Sequence, residues 1–467
     1  MEIKDIKSVY FIGIGGIGMS ALARYFLSKG KYVAGYDLTR TDLTAHLEQE
    51  NASIHYEDDV MQIPEECKNP DNTLVIFTPA IPKDHSELNY FISRKFTIEK
   101  RAQVLGIISK STKALCVAGT HGKTTTSTML AHILKSSKAD CNAFLGGISK
   151  NYDSNLLLSP HSEYTVIEAD EFDRSFHWLS PYITAITSVD ADHLDIYGTA
   201  EAYRESFSIY TSLIKEDGCL LKKKGIPLHE NVKEGVKVYT YSAKEPADFH
   251  ARNIRTENGE IYYDFIGKDV EIENIRLGVP AYVNVENSVA AIAMSLMCGV
   301  SPSEAKHAIE TYKGVDRRFD FKIKSEKTVF INDYAHHPEE IANSIKSIKA
   351  LYPGRHVTGI FQPHLYSRTK DFYKEFAESL SMLDTVILLP IYPARELPIK
   401  GITSELIYNN LKQGVKKILC SKEELLSLLK SINTDILVTL GAGDIDNLVE
   451  PIKDMLLQKE EKTTDSI

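Results

Sequence analysis

The run Ala118-Gly119-Thr120-His121-Gly122-Lys123-Thr124-Thr125-Thr126 separates an apolar segment at residues 114–118 from Met129, Leu130, Ile133 and Leu134, which recur with helical spacing. A glycine turn that joins a strand directly to a helix points to a parallel sheet with right-handed crossovers. Successive N–H groups in such a turn can cradle phosphates. Lys123 can reach the β- and γ-phosphates, and the Thr124 hydroxyl suits Mg²⁺. The run departs from the strict phosphate-loop pattern, because Val117 stands where the first glycine would be.

A second glycine turn, Gly13-Ile14-Gly15-Gly16-Ile17-Gly18, follows a strand pattern at residues 8–14. It precedes Met19, Leu22, Ala23, Phe26 and Leu27, a helical pattern that Gly30 stops. GxGxxG lets the backbone approach a diphosphate at a helix N-terminus, and Asp37 after the next strand suits a ribose hydroxyl. Three readings remain open on these residues alone: NAD, another diphosphate, or a structural turn.

A nucleotide-triphosphate site needs acidic metal ligands at strand ends. Residues 164–167 run into Glu168-Ala169-Asp170-Glu171-Phe172-Asp173, and residues 183–189 into Asp190-Ala191-Asp192-His193-Leu194-Asp195. One or two of these carboxylates suffice for Mg²⁺, which keeps several waters, and His193 can hold a second ion. Such acids after a strand also cap helices, so the cluster carries more weight than any one member. Further on come Asn332-Asp333-Tyr334-Ala335-His336-His337-Pro338 and Phe361-Gln362-Pro363-His364-Leu365-Tyr366-Ser367-Arg368-Thr369. Adjacent histidines point apart and lack zinc-type spacing, so Arg368 for a carboxylate and an acid or imidazole for an ammonium suit a small zwitterion better.

The 467 residues provide for about three α/β domains. The expected boundaries are 1–108 for a Rossmann-like N-terminal domain, 109–313 for a central P-loop ATPase domain and 314–467 for a C-terminal Rossmann-like domain. In the central domain, residues 236–242 and 260–265 alternate like strands around the turn Asn258-Gly259 and read as a small β insertion. In the last domain, residues 329–331, 356–361, 385–389 and 435–440 read as strands, and the tail from Gln458 as frayed. A net charge of −10 argues against nucleic acid, and the absence of an 18-residue apolar run argues against a membrane span. Six scattered cysteines without a CxxC pair, and no leader pattern, point to reduced thiols in a cytoplasmic protein.

The motifs together resemble the bacterial Mur ligases of peptidoglycan synthesis, in the expected order over nearly the whole chain. Carrying the resemblance are residues 13–19, 118–126, 168–173, 192–195, 333–338, 361–369 and 441–443. The first and fifth of these narrow it to the branch that adds alanine. The resemblance implies an ATP-dependent ligase that joins L-alanine to UDP-N-acetylmuramate through an acyl phosphate, with Mg²⁺ or Mn²⁺, as a monomer or homodimer. It implies that Gly13, Gly15, Gly16, Ile17, Gly18, Asp37 and Thr78 hold the UDP-sugar. ATP then falls to Gly119, Thr120, His121, Gly122, Lys123, Thr124, Thr125, Asn284, Asn287, Arg318 and Asp333. Thr124, Glu168 and His193 would bind metal, and Tyr334, His336, His364 and Arg368 the amino acid, with Lys123, Glu168, His193 and His336 catalytic. Two positions depart from the family: Val283 stands where a histidine is common, and Leu365 where an arginine is. Residues 203–210 hold no lysine for the carbamylation that several relatives use. The rival readings are a sister ligase attaching a peptide to the same sugar nucleotide, an NAD-dependent dehydrogenase, and a P-loop ATPase switch.

Overall fold

A computed structural model describes residues 5–464 apart from 79, 80, 83, 193, 395 and 433; the side chains of 194, 195 and 462–464 also lie outside the description. Contacts divide the chain into two compact units. One comprises Met1–Ala251, Phe265–Ile272 and Asn287–Thr311; the other comprises Arg252–Asp264, Glu273–Glu286 and Tyr312–Ile467.

The first sheet has strands β1 (Ser8–Ile12), β2 (Tyr32–Tyr36), β3 (Ser53–His55), β4 (Thr73–Phe77) and β5 (Thr97–Lys100). All pairs are parallel, in the order β3-β2-β1-β4-β5. Every residue of β1 is buried, as a strand covered on both faces requires. It stops at Ile12, two residues short of the expected end, because Gly13 takes φ 90°, which glycine alone adopts freely. The strand order reverses between β1 and β4, and ligands of open α/β sheets bind at such a switch. Gly13 after β1 and Thr78 after β4 meet there: a Cβ on Gly13 would lie 2.6 Å from Thr78 Cγ2.

The second sheet has ten strands: β6 (Lys113–Ala118), β7 (Asn142–Ser149), β8 (Ser154–Leu157), β9 (Tyr164–Ala169), β10 (Ile183–Ile186), β11 (Cys219–Lys223), β12 (Lys237–Ser242), β13 (Phe249–Glu257), β14 (Glu260–Gly267) and β15 (Val270–Arg276). β6 lies between β10 and β9, parallel to both, so three carboxyl ends converge beside the loop that follows it. The strands of the expected β insertion extend the central sheet. β12 pairs in parallel with β11 and the sheet continues through β13, β14 and β15, since the open edge of β11 offers a ladder of unpaired N–H and C=O groups. Asn258 and Gly259, with φ 53° and 74°, form the tight turn between β13 and β14.

The third sheet runs β16-β17-β21-β18-β19-β20, from β16 (Asp320–Lys324), β17 (Val329–Asp333), β18 (Val357–Phe361), β19 (Thr385–Leu388), β20 (Lys416–Leu419) and β21 (Ile436–Leu440). Only β16 is antiparallel. Of the tail expected to fray from Gln458, residues up to 464 form the end of a helix, Val449–Thr464, and residues 465–467 lie outside the described residues. Lys459 Nζ donates to Ile432 O at 2.6 Å, and Glu460 accepts from Ser325 Oγ at 2.6 Å, and these tie it down. Among the described residues no helix is long and apolar enough to cross a membrane. All six cysteines are free and buried.

Candidate active site

In the first unit, the loop after β6 is braced before it meets any ligand. Gly119 takes φ 138°, and a Cβ there would fall 2.1 Å from Thr187 Oγ1, so only glycine fits. Thr120 N donates to Ser188 O, His121 N to Ser188 Oγ, and Thr120 Oγ1 to Asp190 O at 2.7 Å. Gly122, at φ 82°, caps the helix Lys123–Lys135 without a side-chain acceptor, which leaves the first-turn N–H groups of Lys123, Thr124 and Thr125 aimed at an anion. Buried Asn287 closes the other side, with Oδ1 2.8 Å from where a Gly122 Cβ would stand.

Lys123 itself is turned back. Its Nζ lies 2.7 Å from Glu171 Oε2 and 2.6 Å from Gly119 O. Burial alone would lower its pKa, but the carboxylates of Glu171, Asp170 and Glu168 outweigh that and hold it above the ordinary lysine value. Burial raises the Glu171 pKa despite the lysine. Tyr203, the first residue of the segment without lysine, puts its hydroxyl 2.8 Å from Thr120 Oγ1 and 3.4 Å from Glu171 Oε1. Glu168 Oε2 is buried and accepts no hydrogen bond among the described residues. Its carboxylate lies against Gly146, where a Cβ would come within 2.2 Å. An orphaned, buried carboxylate oxygen near the Thr124 turn fits a hard divalent cation. His193 lies outside the described residues.

The glycine loop after β1 shows the same design. Gly16 caps the helix Ile17–Ser28 without a side-chain acceptor. Asp37 Oδ2 accepts the Gly15 N–H at 2.7 Å, so this carboxylate shapes the loop itself. Sequence reasoning missed Arg101. Its guanidinium occupies the space a Gly18 side chain would fill, 2.2 Å from the ideal Cβ, and its Nε is buried without a hydrogen-bond partner among the described residues. A buried guanidinium Nε without a partner among the described residues, beside an uncapped helix N-terminus, suits an anion.

The second unit gathers the four residues expected to receive the amino acid. Tyr334 and His336 rings are 5.2 Å apart, His336 and His364 6.2 Å, and Arg368 Nη1 is 3.5 Å from His364 Nδ1. His364 stacks on Tyr392 at 5.6 Å. Leu365 begins the helix Tyr366–Leu380 with φ 70°, a strained conformation for a leucine. His336 Nδ1 faces Tyr334 O at 3.0 Å, which leaves Nε2 as the basic nitrogen, and burial brings its pKa down to about 4. Asp333 is pushed up to about 6 by burial, against the pull of Arg318. The Arg317 and Arg318 guanidinium groups both lie over the Tyr334 ring, at 4.8 and 4.7 Å. Asn284 Nδ2 donates to Val279 O, one turn before Asn287 on the helix Tyr282–Met297. His336 and His337 enter no group of three or more metal-binding side chains among the described residues.

Braced glycine loops at the carboxyl ends of parallel strands, one holding a buried lysine among carboxylates, define a nucleotide-dependent α/β enzyme. Family models agree and are more specific. Residues 8–113 match "Mur ligase family, catalytic domain", 117–295 "Mur ligase middle domain" and 317–443 "Mur ligase, glutamate ligase domain". The chain belongs to the Mur ligase family. A UDP-N-acetylmuramate–L-alanine ligase of Phocaeicola vulgatus is 59% identical over 459 residues, 98% of this chain and 100% of the relative. A relative of the same name from Parabacteroides distasonis is 59% identical over 99% of this chain and 100% of its own length. The crystal structure of a UDP-N-acetylmuramate–alanine ligase from Thermotoga maritima superposes with a TM-score of 0.81 at 27% identity, covering 97% of this chain and 99% of that one.

Proposed function

We propose that the chain is the cytoplasmic ligase that joins L-alanine to UDP-N-acetylmuramate, consuming ATP and releasing ADP and phosphate, in peptidoglycan precursor synthesis. The observation that carries this reading is end-to-end likeness, at 59% identity, to relatives of that activity. We assign residues 1–108 to the UDP-sugar, 109–313 to ATP and 314–467 to the amino acid and nucleotide, in a monomer or homodimer.

The sugar's carboxylate must attack the γ-phosphate, an approach of like charges that costs about 4 kcal/mol per pair at 4 Å and effective dielectric 20. Lys123 and the N–H groups of its helix turn offset that repulsion and stabilise the transferring phosphoryl. A bound Mg²⁺ or Mn²⁺, held by Thr124, Glu168 and His193, would supply further neutralisation of phosphate charge. Attack forms the carboxyl–phosphate bond and breaks the bond to ADP. Arg368 and His364 hold the alanine carboxylate, while its neutral amine attacks the acyl carbon and expels phosphate. His336, neutral with Nε2 unprotonated, accepts the proton the amine gives up.

Phosphate release from ATP and Mg²⁺ tests this directly, with UDP-N-acetylmuramate present, with and without L-alanine, beside a tripeptide control. Release that requires both sugar nucleotide and L-alanine supports the assignment. Release with the tripeptide alone moves the chain to the peptide-attaching branch, and independence from the sugar nucleotide overturns the reading of the first glycine loop.

A further inference from the structure

The lysine meant for the phosphates is fully engaged elsewhere. Lys123 Nζ contacts both Glu171 carboxylate oxygens, at 2.7 and 3.0 Å, and the carbonyls of Gly119 and Thr120, at 2.6 and 3.3 Å. These contacts use up its three donors. The Glu171 side chain is 2% exposed and that of Lys123 13%, so water screens the pair weakly. Glu171 is held from behind as well. Tyr197 donates its hydroxyl to Glu171 O, and Tyr203 donates to Oε1. A phosphate can take the ammonium only by drawing it off this carboxylate.

We propose that Glu171 is a positioning residue that competes with phosphate for Lys123: it stores the lysine before the triphosphate arrives and recaptures it afterwards, hastening the departure of ADP. The inference rests on the ATP reading of this loop and adds a residue to it. The backbone just beyond Glu171 suits a movable element. Asp173 and Arg174 both hold left-handed backbone, φ 51° and 55°, and Arg174 lies over the Tyr197 ring at 4.7 Å. The segment Phe172–Trp178 ends in the chain's single tryptophan, 52% exposed, with its backbone oxygen against Gly106. Release of Lys123 from Glu171 therefore has an optical reporter seven residues away.

Binding of Mg-ADP, and of a non-hydrolysable ATP analogue with Mg²⁺, is measured by calorimetry and by tryptophan emission in the full-length protein, Glu171→Gln and Glu171→Asp. A carboxylate competitor predicts that Glu171→Gln binds ADP tighter, by about fivefold or more. Glu171→Asp keeps the charge and stays within about twofold of the parent. The KM for L-alanine does not move in either variant. A residue that merely supports the loop would weaken nucleotide binding when replaced, so equal or weaker ADP affinity in Glu171→Gln overturns the proposal. The unaltered protein provides the second arm, which stands even if Glu171→Gln does not fold. Saturation with Mg-ADP must change Trp178 emission, and calorimetric binding without any change also overturns it. Absence of nucleotide binding to the unaltered protein would instead overturn the ATP reading itself.

Discussion

The guanidinium of Arg101 rests on the α-carbon of Gly18, filling the place of the side chain that glycine lacks. The last glycine of the turn thus admits a cation to the mouth of a helix whose first N–H groups are uncapped. Arg101→Ala should weaken UDP-N-acetylmuramate and UDP by about tenfold or more, the usual worth of a charge-assisted contact, while uridine binding is unchanged. Calorimetry with the three ligands checks this. Equal losses for uridine and UDP would show that the arginine merely supports the fold.

Removing the Lys123 ammonium should cut turnover far more than it alters sugar-nucleotide affinity. Lys123→Ala is expected to lose on the order of a hundredfold or more in phosphate release, with the Kd for UDP-N-acetylmuramate within about twofold. Full turnover in this variant would remove the central role given to the loop after β6.

Gly146 makes room for Glu168. Since a Cβ at 146 would come within 2.2 Å of Glu168 Oε2, Gly146→Ala must displace that carboxylate. The expected result is a higher Mg²⁺ concentration for half-maximal turnover, by about tenfold, with maximal turnover partly recovered at high Mg²⁺. A metal titration of the two proteins reads it, and an unchanged midpoint would take Glu168 out of the metal site.

Asp333 carries a stability penalty with a definite pH dependence. Its pKa rises from an ordinary 3.8 to about 6, so between those values the folded state binds more protons than the unfolded. Stability therefore falls as pH rises through that window, and the deficit is complete above it. Asp333→Asn should melt a few degrees higher at pH 7.5, reflecting about 2 kcal/mol, and the gain should vanish near pH 4. Its ATP-dependent turnover should drop. A melting gain that is the same at both pH values would contradict the buried carboxylate as its source.

Much of this arrangement could be read along the chain, for identifiable reasons. Apolar runs that end in glycine or in clustered acids marked β1, β6, β9 and β17, because both faces of these strands are covered. Strands with exposed polar positions, such as β15 and β20, gave no such signal. Partnerships across long separations were hidden too. Glu171 stood out as one acid among four, yet nothing local tied it to Lys123, 48 residues earlier. Arg101 reads as an ordinary helix start until the sheet order brings it to Gly18. The β13–β14 turn was legible because Asn-Gly encodes it locally, whereas the sheet that continues through it depends on a pairing edge no local pattern reports.

The buried cysteines have a practical corollary. Burial lifts the thiols of Cys67, Cys116, Cys219 and Cys298 to about 12, and raises those of Cys141 and Cys420 as well. At neutral pH only about one in 10⁵ of such thiols with a pKa near 12 is a thiolate, the form that reacts with maleimides. A cysteine placed on an exposed position such as Met61 would thus react far ahead of these buried thiols, with the native six left in place. Dyes for distance measurements can then be attached without first stripping the chain of its own sulfur.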